Sequence, residues 1–257
     1  MKLRLTAANP AGNVTLLVES PVPSVDFFSV AGRLLQAVPG AEQVGFLTEP
    51  RMGGDVRLEM MGGEFCGNAA RCAGLYRIRQ DGLHGTALVE ISGCRELVPV
   101  TADASGVWAE MPLPRSMERF ALDGAEFDAV CFEGIVHLIA ETAPRKGDWV
   151  KRMLPTVAER FGLPAAGMMF LEPERMTPAV YVRDTDSLFW ENSCASGSAA
   201  AAWWDAVRHP DGVRTKCLRQ PGGTIETRTE KKNGLITGLR LGGEVTIAAS
   251  TEMELIY

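Results

Sequence analysis

A chain of 257 residues, 46% hydrophobic and 23% charged, is long and apolar enough for one large or two ordinary packed domains. Its net charge of −6, with Lys and Arg scattered rather than massed, argues against nucleic acid or an anionic membrane as partner. Pro10, Gly12 and Asn13 break the N-terminal segment before any apolar run of signal length, and no segment approaches the roughly 18 apolar residues of a membrane span, so a cytoplasmic protein is expected.

Alternating apolar segments predict strands at 14–18, 56–60, 87–91 and 107–111 in the first half. A helix is expected over 25–38, with Ser24 as N-cap, an apolar face of Phe28, Val30, Leu34 and Leu35, and a stop at Pro39-Gly40. Another helix should follow Cys66 and end near Arg79. In the second half strands are expected at 135–139, 179–182, 239–241 and 245–247, and a helix over 149–161 that Pro155 should kink or split. A last helix should follow Cys194 and end near Arg208. Each half thus holds several strands and a helix led by a cysteine turn. That order fits a duplicated α+β fold with a seam near Pro112-Leu113-Pro114-Arg115: a first domain over 1–115, completed by a C-terminal strand at 248–257, and a second over 116–247.

Six cysteines occur without any Cys-x-x-Cys pair, and the three histidines, His84, His137 and His209, cluster with none of them. Neither a metal site nor a disulfide framework is expected. Cys72, Cys94, Cys131 and Cys217 read as small buried hydrophobes. Cys66 and Cys194 differ, because each opens a small-residue turn running into a helix, in Cys66-Gly67-Asn68-Ala69-Ala70 and Cys194-Ala195-Ser196-Gly197-Ser198, half a chain length apart.

A helix N-terminus presents backbone N–H groups and the positive end of its dipole, which suit a carboxylate and bias a nearby thiol toward thiolate. Two such thiols could serve one α-carbon, one removing the proton and the other delivering one to the opposite face, with no cofactor. Helix-end fields contribute about 0.3–1 kcal/mol, rising to ~2 when partly buried, whereas enzymatic acceleration needs about 8 kcal/mol or more. Fixed hydrogen bonds in a closed, dry site must supply most of the difference, so closure over the substrate is expected.

The stretch Cys66-Gly67-Asn68-Ala69-Ala70-Arg71-Cys72 resembles the first catalytic signature of the diaminopimelate epimerases, and Cys194-Ala195-Ser196-Gly197-Ser198-Ala199 is similar to their second. Gly12-Asn13, Glu42-Gln43, Gly134-Ile135-Val136-His137 and Pro221-Gly222-Gly223 echo further motifs of that family. The resemblance implies two pseudo-symmetric domains, each a curled mixed β-sheet around a central helix. The Asn and Arg positions that hold the distal end of diaminopimelate fall at or near Met60, Ile135, Gly167 and Asp186, where no guanidinium stands, so diaminopimelate is disfavoured as substrate.

Asn9-Pro10-Ala11-Gly12-Asn13-Val14, Glu42-Gln43-Val44-Gly45-Phe46, Gly63-Glu64-Phe65-Cys66 and Ser187-Leu188-Phe189-Trp190-Glu191-Asn192-Ser193-Cys194 more closely resemble the histidine racemases of opine metallophore biosynthesis. That resemblance implies cofactor-free interconversion of L- and D-histidine, with Cys66 and Cys194 as the acid and base. It implies Asn13, Gln43, Gly67, Asn68, Ala195 and Ser196 around the α-amino and α-carboxylate groups. Glu64 and Glu191, beside the cysteines, are candidates to accept the imidazole N–H. His137 reads as a satisfied core histidine, since two thiols already cover both proton transfers. A racemase of another amino acid, a proline-racemase-like or phenazine-type isomerase and a non-catalytic amino-acid-binding protein remain as alternatives. The second of these commonly has His where this chain has Asn68. Trp203 and Trp204 fit either a core or a homodimer interface.

Overall fold

The computed structural model describes residues 1–81, 85–145 and 148–255; His84 and the last two residues of the expected closing strand lie outside them. Two compact units result, 1–110 with 242–257, and 111–241. The first ends at Glu110 and regains the chain at Gly242, several residues earlier than the expected 115 and 248.

The first unit contains β1 (Lys2–Asn9), β2 (Thr15–Val18), α1 (Phe27–Ala37), β3 (Gln43–Thr48), β4 (Val56–Met60), α2 (Gly67–Asp81), β5 (Thr86–Ile91), β6 (Val98–Asp103) and β7 (Gly106–Glu110). The second contains β8 (Ser116–Leu122), β9 (Ala125–Cys131), β10 (Ile135–Ala140), α3 (Asp148–Phe161), β11 (Ala165–Glu172), β12 (Arg175–Val182), β13 (Ser187–Trp190), α4 (Ala195–Val207), β14 (Gly212–Gln220), β15 (Gly223–Lys232) and β16 (Leu235–Gly242). The chain then closes the first unit with β17 (Thr246–Ile247) and β18 (Thr251–Glu254), both antiparallel to β1.

Strand pairing is mixed in both units. In the first unit β2/β3 and β4/β5 run parallel while β1/β2, β3/β4, β5/β6 and β6/β7 run antiparallel. In the second, β10/β11 is parallel, flanked by antiparallel β9/β10 and β11/β12. Small residues let each cysteine-led helix sink into its unit. Ala69, Ala70, Cys72 and Ala73 of α2 pack with Leu58, Val89, Val100 and Ala109 of the surrounding strands. Gly74 lies so close to the Val100 side chain that a Cβ would collide with it. In α4 the run from Ala199 to Ala202 is buried.

Three local expectations are corrected. Residues 24–26 form a short 3-10 turn, so α1 begins at Phe27 behind Asp26, and Ser24 caps nothing. Phe28, expected on the apolar face, is 68% exposed, because the buried face is Val30, Ala31 and Leu34 and position 28 lies about 200° around the helix from Val30, while Phe27 shares that face and stacks on Phe46. Helix α3 runs unbroken through Pro155, with Val150, Leu154, Val157 and Ala158 buried in one core on both sides of the proline. That packing outweighs the local penalty of the missing N–H.

Candidate active site

In the first unit the approach to Cys66 is set by the end of β5. Ser92 Oγ accepts the Met60 N–H at 2.8 Å and donates to the Glu64 carbonyl at 3.0 Å. Gly93, at φ +72°, abuts the Phe65 backbone so closely that a Cβ would collide with its nitrogen. Cys66 therefore emerges at the N-terminus of α2, where its Sγ accepts the Ala69 N–H at 3.5 Å and its carbonyl the Ala70 N–H at 2.9 Å.

Three predicted residues meet beside it. Asn13 Oδ1 accepts from Gln43 Nε2 at 2.9 Å and from Asn68 Nδ2 at 3.3 Å, and Gln43 also donates to Thr15 Oγ1 at 2.7 Å. Asn13 Nδ2 donates to Glu42 Oε2 at 2.7 Å, which adds a half-buried carboxylate to the network. The sequence points to Gln43 and gives no reason to choose Glu42, because only the fold turns that carboxylate toward Asn13. A carboxylate here suits an ammonium group. Behind Asn68, the fully buried Arg71 donates to its Oδ1 at 3.4 Å.

The second unit repeats the device. Cys194, with extended backbone, is the N-cap of α4; its Sγ accepts the Gly197 N–H at 3.3 Å and its carbonyl the Ser198 N–H at 3.0 Å. Gln220, buried at the end of β14, clamps this turn by accepting the Cys194 N–H and donating to Ser198 Oγ, both at 2.8 Å. Gly222 N–H holds the Asn192 carbonyl at 2.8 Å. The sequence gives no sign of Gln220 beyond its place before Pro221-Gly222-Gly223. Gly197 leaves room for the Met169 side chain, whose sulfur a Cβ there would displace. Ser196 Oγ lies 3.6 Å from Cys194 Sγ and 2.9 Å from His137 Nε2.

Electrostatics correct the expected thiolate bias at Cys194. Burial, then the charge and hydrogen bond of Glu191, push this thiol well above its ordinary value, while Ser196 and the Gly197 N–H pull the other way. Losing water and facing a carboxylate outweigh the helix end. Glu191 thus engages the thiol. Glu64 is exposed, with its carboxylate folded back over Gly62; the protein packed around that carboxylate raises it, against the pull of the Glu64 and Gly62 N–H groups.

Of the remaining cysteines, Cys72 and Cys131 are buried, Cys94 is half-buried, and Cys217 is exposed on β14, contrary to the expected burial. Burial pushes the Cys72 thiol up to about 12, which makes it inert beside Cys66. Met60 is core, Gly167 lies against the His137 ring and Asp186 accepts the Tyr181 hydroxyl at 3.0 Å, so none of these positions presents a cation. Trp204 is a core residue, donating to Asp128 at 2.7 Å under the Arg208 guanidinium, while Trp203 is half-buried. Among the described residues no group of three or more His, Cys, Asp or Glu side chains is placed to hold a metal ion, and no helix is long and apolar enough to cross a membrane.

Residues 2–253 match the family model described as the histidine racemase CntK N-terminal domain. The chain is 28% identical over 257 residues to a histidine racemase of Staphylococcus aureus, covering 94% of each chain. It is 30% identical over 246 residues to one of Fusobacterium nucleatum subsp. nucleatum, covering 90% of each. Among solved structures, a phenazine biosynthesis protein of the PhzF family from Bacillus anthracis superposes with a TM-score of 0.70 at 13% identity, over 99% of this chain and 100% of that one. At that identity the likeness shows a common fold, that of the diaminopimelate epimerase-like α+β proteins.

Proposed function

The chain belongs to the histidine racemase family, and from that membership we propose that it interconverts L- and D-histidine without a cofactor, by proton transfer between Cα and the thiols of Cys66 and Cys194. The observation that carries the reading is the matched construction of the two thiols. Each stands immediately before a helix buried in its own unit, and each Sγ accepts the N–H three residues on. Each is followed at the second position by an anchored polar side chain, Asn68 on Asn13 and Ser196 on His137.

In this reading the first N–H groups of both helices, at Gly67 and Asn68 and at Ala195 and Ser196, hold the α-carboxylate. The network of Asn13, Gln43 and Glu42 receives the α-ammonium. Cys194, kept as a thiol by burial and Glu191, begins one direction of turnover as the proton donor, and Cys66, the more exposed of the two, begins it as the base. The roles are exchanged in the reverse direction. Glu64 and Glu191 are the acceptors proposed for the imidazole N–H; undiminished histidine turnover in both Glu64→Gln and Glu191→Gln would remove them from that role. Six cysteine thiols suit a reducing compartment, and we place the enzyme in the cytoplasm.

The test is α-proton exchange in deuterium oxide across the L-amino acids and diaminopimelate. Histidine is expected to exchange fastest and diaminopimelate not at all. Faster exchange of another amino acid would reassign the substrate, and exchange of none would leave a binding protein.

A further inference from the structure

His137 is fully buried, and burial holds its imidazole neutral by lowering it to about 3. A neutral ring carries one N–H. Nδ1 is buried without a hydrogen-bond partner and faces Gly167, where a Cβ would collide with it. A proton on Nδ1 would be a buried donor with nothing to receive it, which costs more than a bare acceptor in the same place. The proton therefore belongs on Nε2, which donates to Ser196 Oγ at 2.9 Å. Once that oxygen accepts from the ring, its own hydrogen turns elsewhere, and Cys194 Sγ lies 3.6 Å away.

We propose that His137 is a positioning residue that locks the Ser196 hydroxyl as a hydrogen-bond donor to the Cys194 sulfur, stabilising the thiolate that forms each time Cys194 gives up its proton. The opposite tautomer would turn the Ser196 hydroxyl toward the ring and leave the sulfur without it. Cys194 then stands between two opposed influences. Glu191 receives the S–H and favours the thiol, while Ser196 O–H and Gly197 N–H favour the thiolate. A thiol that must act alternately as acid and base benefits from this balance. The first unit has a different solution at the same place, since Asn68 is fixed by Asn13 and Arg71 rather than by an imidazole.

The proposal rests on Cys194 being a working acid and base, but it can be tested without substrate. Iodoacetamide labelling of Cys194 is followed against pH by peptide mass spectrometry in wild type, Ser196→Ala, His137→Leu, His137→Gln and Ser196→Ala/His137→Leu. Ser196→Ala and His137→Leu are each expected to raise the labelling midpoint by about one pH unit, a tenfold loss of thiolate below it, and the double variant no further. His137→Gln, which keeps a donor, should bring the midpoint most of the way back to the wild-type value. A midpoint moved by Ser196→Ala but not by His137→Leu would overturn the role of His137, and no movement in either would overturn the whole arrangement. If His137→Leu does not fold, Gly167→Ala, which crowds Nδ1 without touching Cys194, should raise the midpoint, and an unchanged midpoint there would count against the proposal. A wild-type protein that does not racemise histidine, with the labelling shifts as expected, would contradict the proposed function and leave this inference standing.

Discussion

Cys66→Ser and Cys194→Ser should each lower histidine racemisation by about 10³-fold or more while leaving the fold intact. Serine keeps the shape and loses the acidity. An alcohol holds its proton far more tightly than a thiol, so it is a poor acid, and its conjugate base is out of reach at neutral pH. A thousandfold loss corresponds to about 4 kcal/mol of transition-state stabilisation. The structural consequence has the opposite sign. Cys194 is the N-cap of α4 and its sulfur accepts the Gly197 N–H, a position where serine is among the preferred residues and cysteine is not. Cys194→Ser should therefore melt at or above the wild-type temperature while losing activity. A variant that kept full activity would end the two-thiol mechanism; one that lost activity because it unfolded would say nothing about chemistry, which is why melting is measured alongside.

Arg71→Met should cost about 3–5 kcal/mol of stability, the scale expected when several buried acceptors lose a charged donor. The guanidinium is fully buried, donating from Nε to the Val107 carbonyl at 2.9 Å and from Nη2 to the Gly243 and Glu244 carbonyls at 2.8 and 3.3 Å. It thereby ties α2 to β7 and to the segment by which the chain re-enters the first unit. Methionine fills much of the space but removes this donor; the Gly243 carbonyl keeps the Val107 N–H at 3.0 Å, while each of the other two costs about 1–3 kcal/mol when unsatisfied. For a chain of this size a melting point lower by roughly 10 °C is expected. Thermal unfolding read by circular dichroism checks this; a shift within a degree or two would mean that the carbonyls find other donors. Because Arg71 also holds Asn68, racemase activity at low temperature should fall as well.

The sequence carries the two cysteine turns, the helices behind them and part of the strand set, including β4, whose burial alternates along the strand, and β10, a continuous buried run. It is silent on β1, β3, β6, β9, β11, β14 and β15 as well as on β8 and β13; in the last two few side chains are buried and alternation has no core to report, while β9 and β11 are buried nearly throughout and show no alternation. The start of α1 and the break expected at Pro155 miscarry for related reasons, since local rules for Ser24 and Pro155 give way to packing, while α3 itself lies where the sequence puts it. The site divides the same way. Asn13, Gln43 and Asn68 are legible through motifs, but Gln220 reaches Cys194 only through the register of β14, and Glu42 only through the pairing of β2 with β3. The thiolate bias inferred from the helix end fails at Cys194 because burial and Glu191 come from the fold, not from the turn.

Two thiols acting on opposite faces of Cα make one demand that no single-base enzyme meets. L-Histidine is incubated with the wild-type protein in deuterium oxide, and both enantiomers are separated and weighed for α-deuterium at early times. D-Histidine is expected to carry deuterium while the remaining L-histidine keeps its protium. Deuterium entering the recovered L-histidine as fast as the D-histidine product would contradict it.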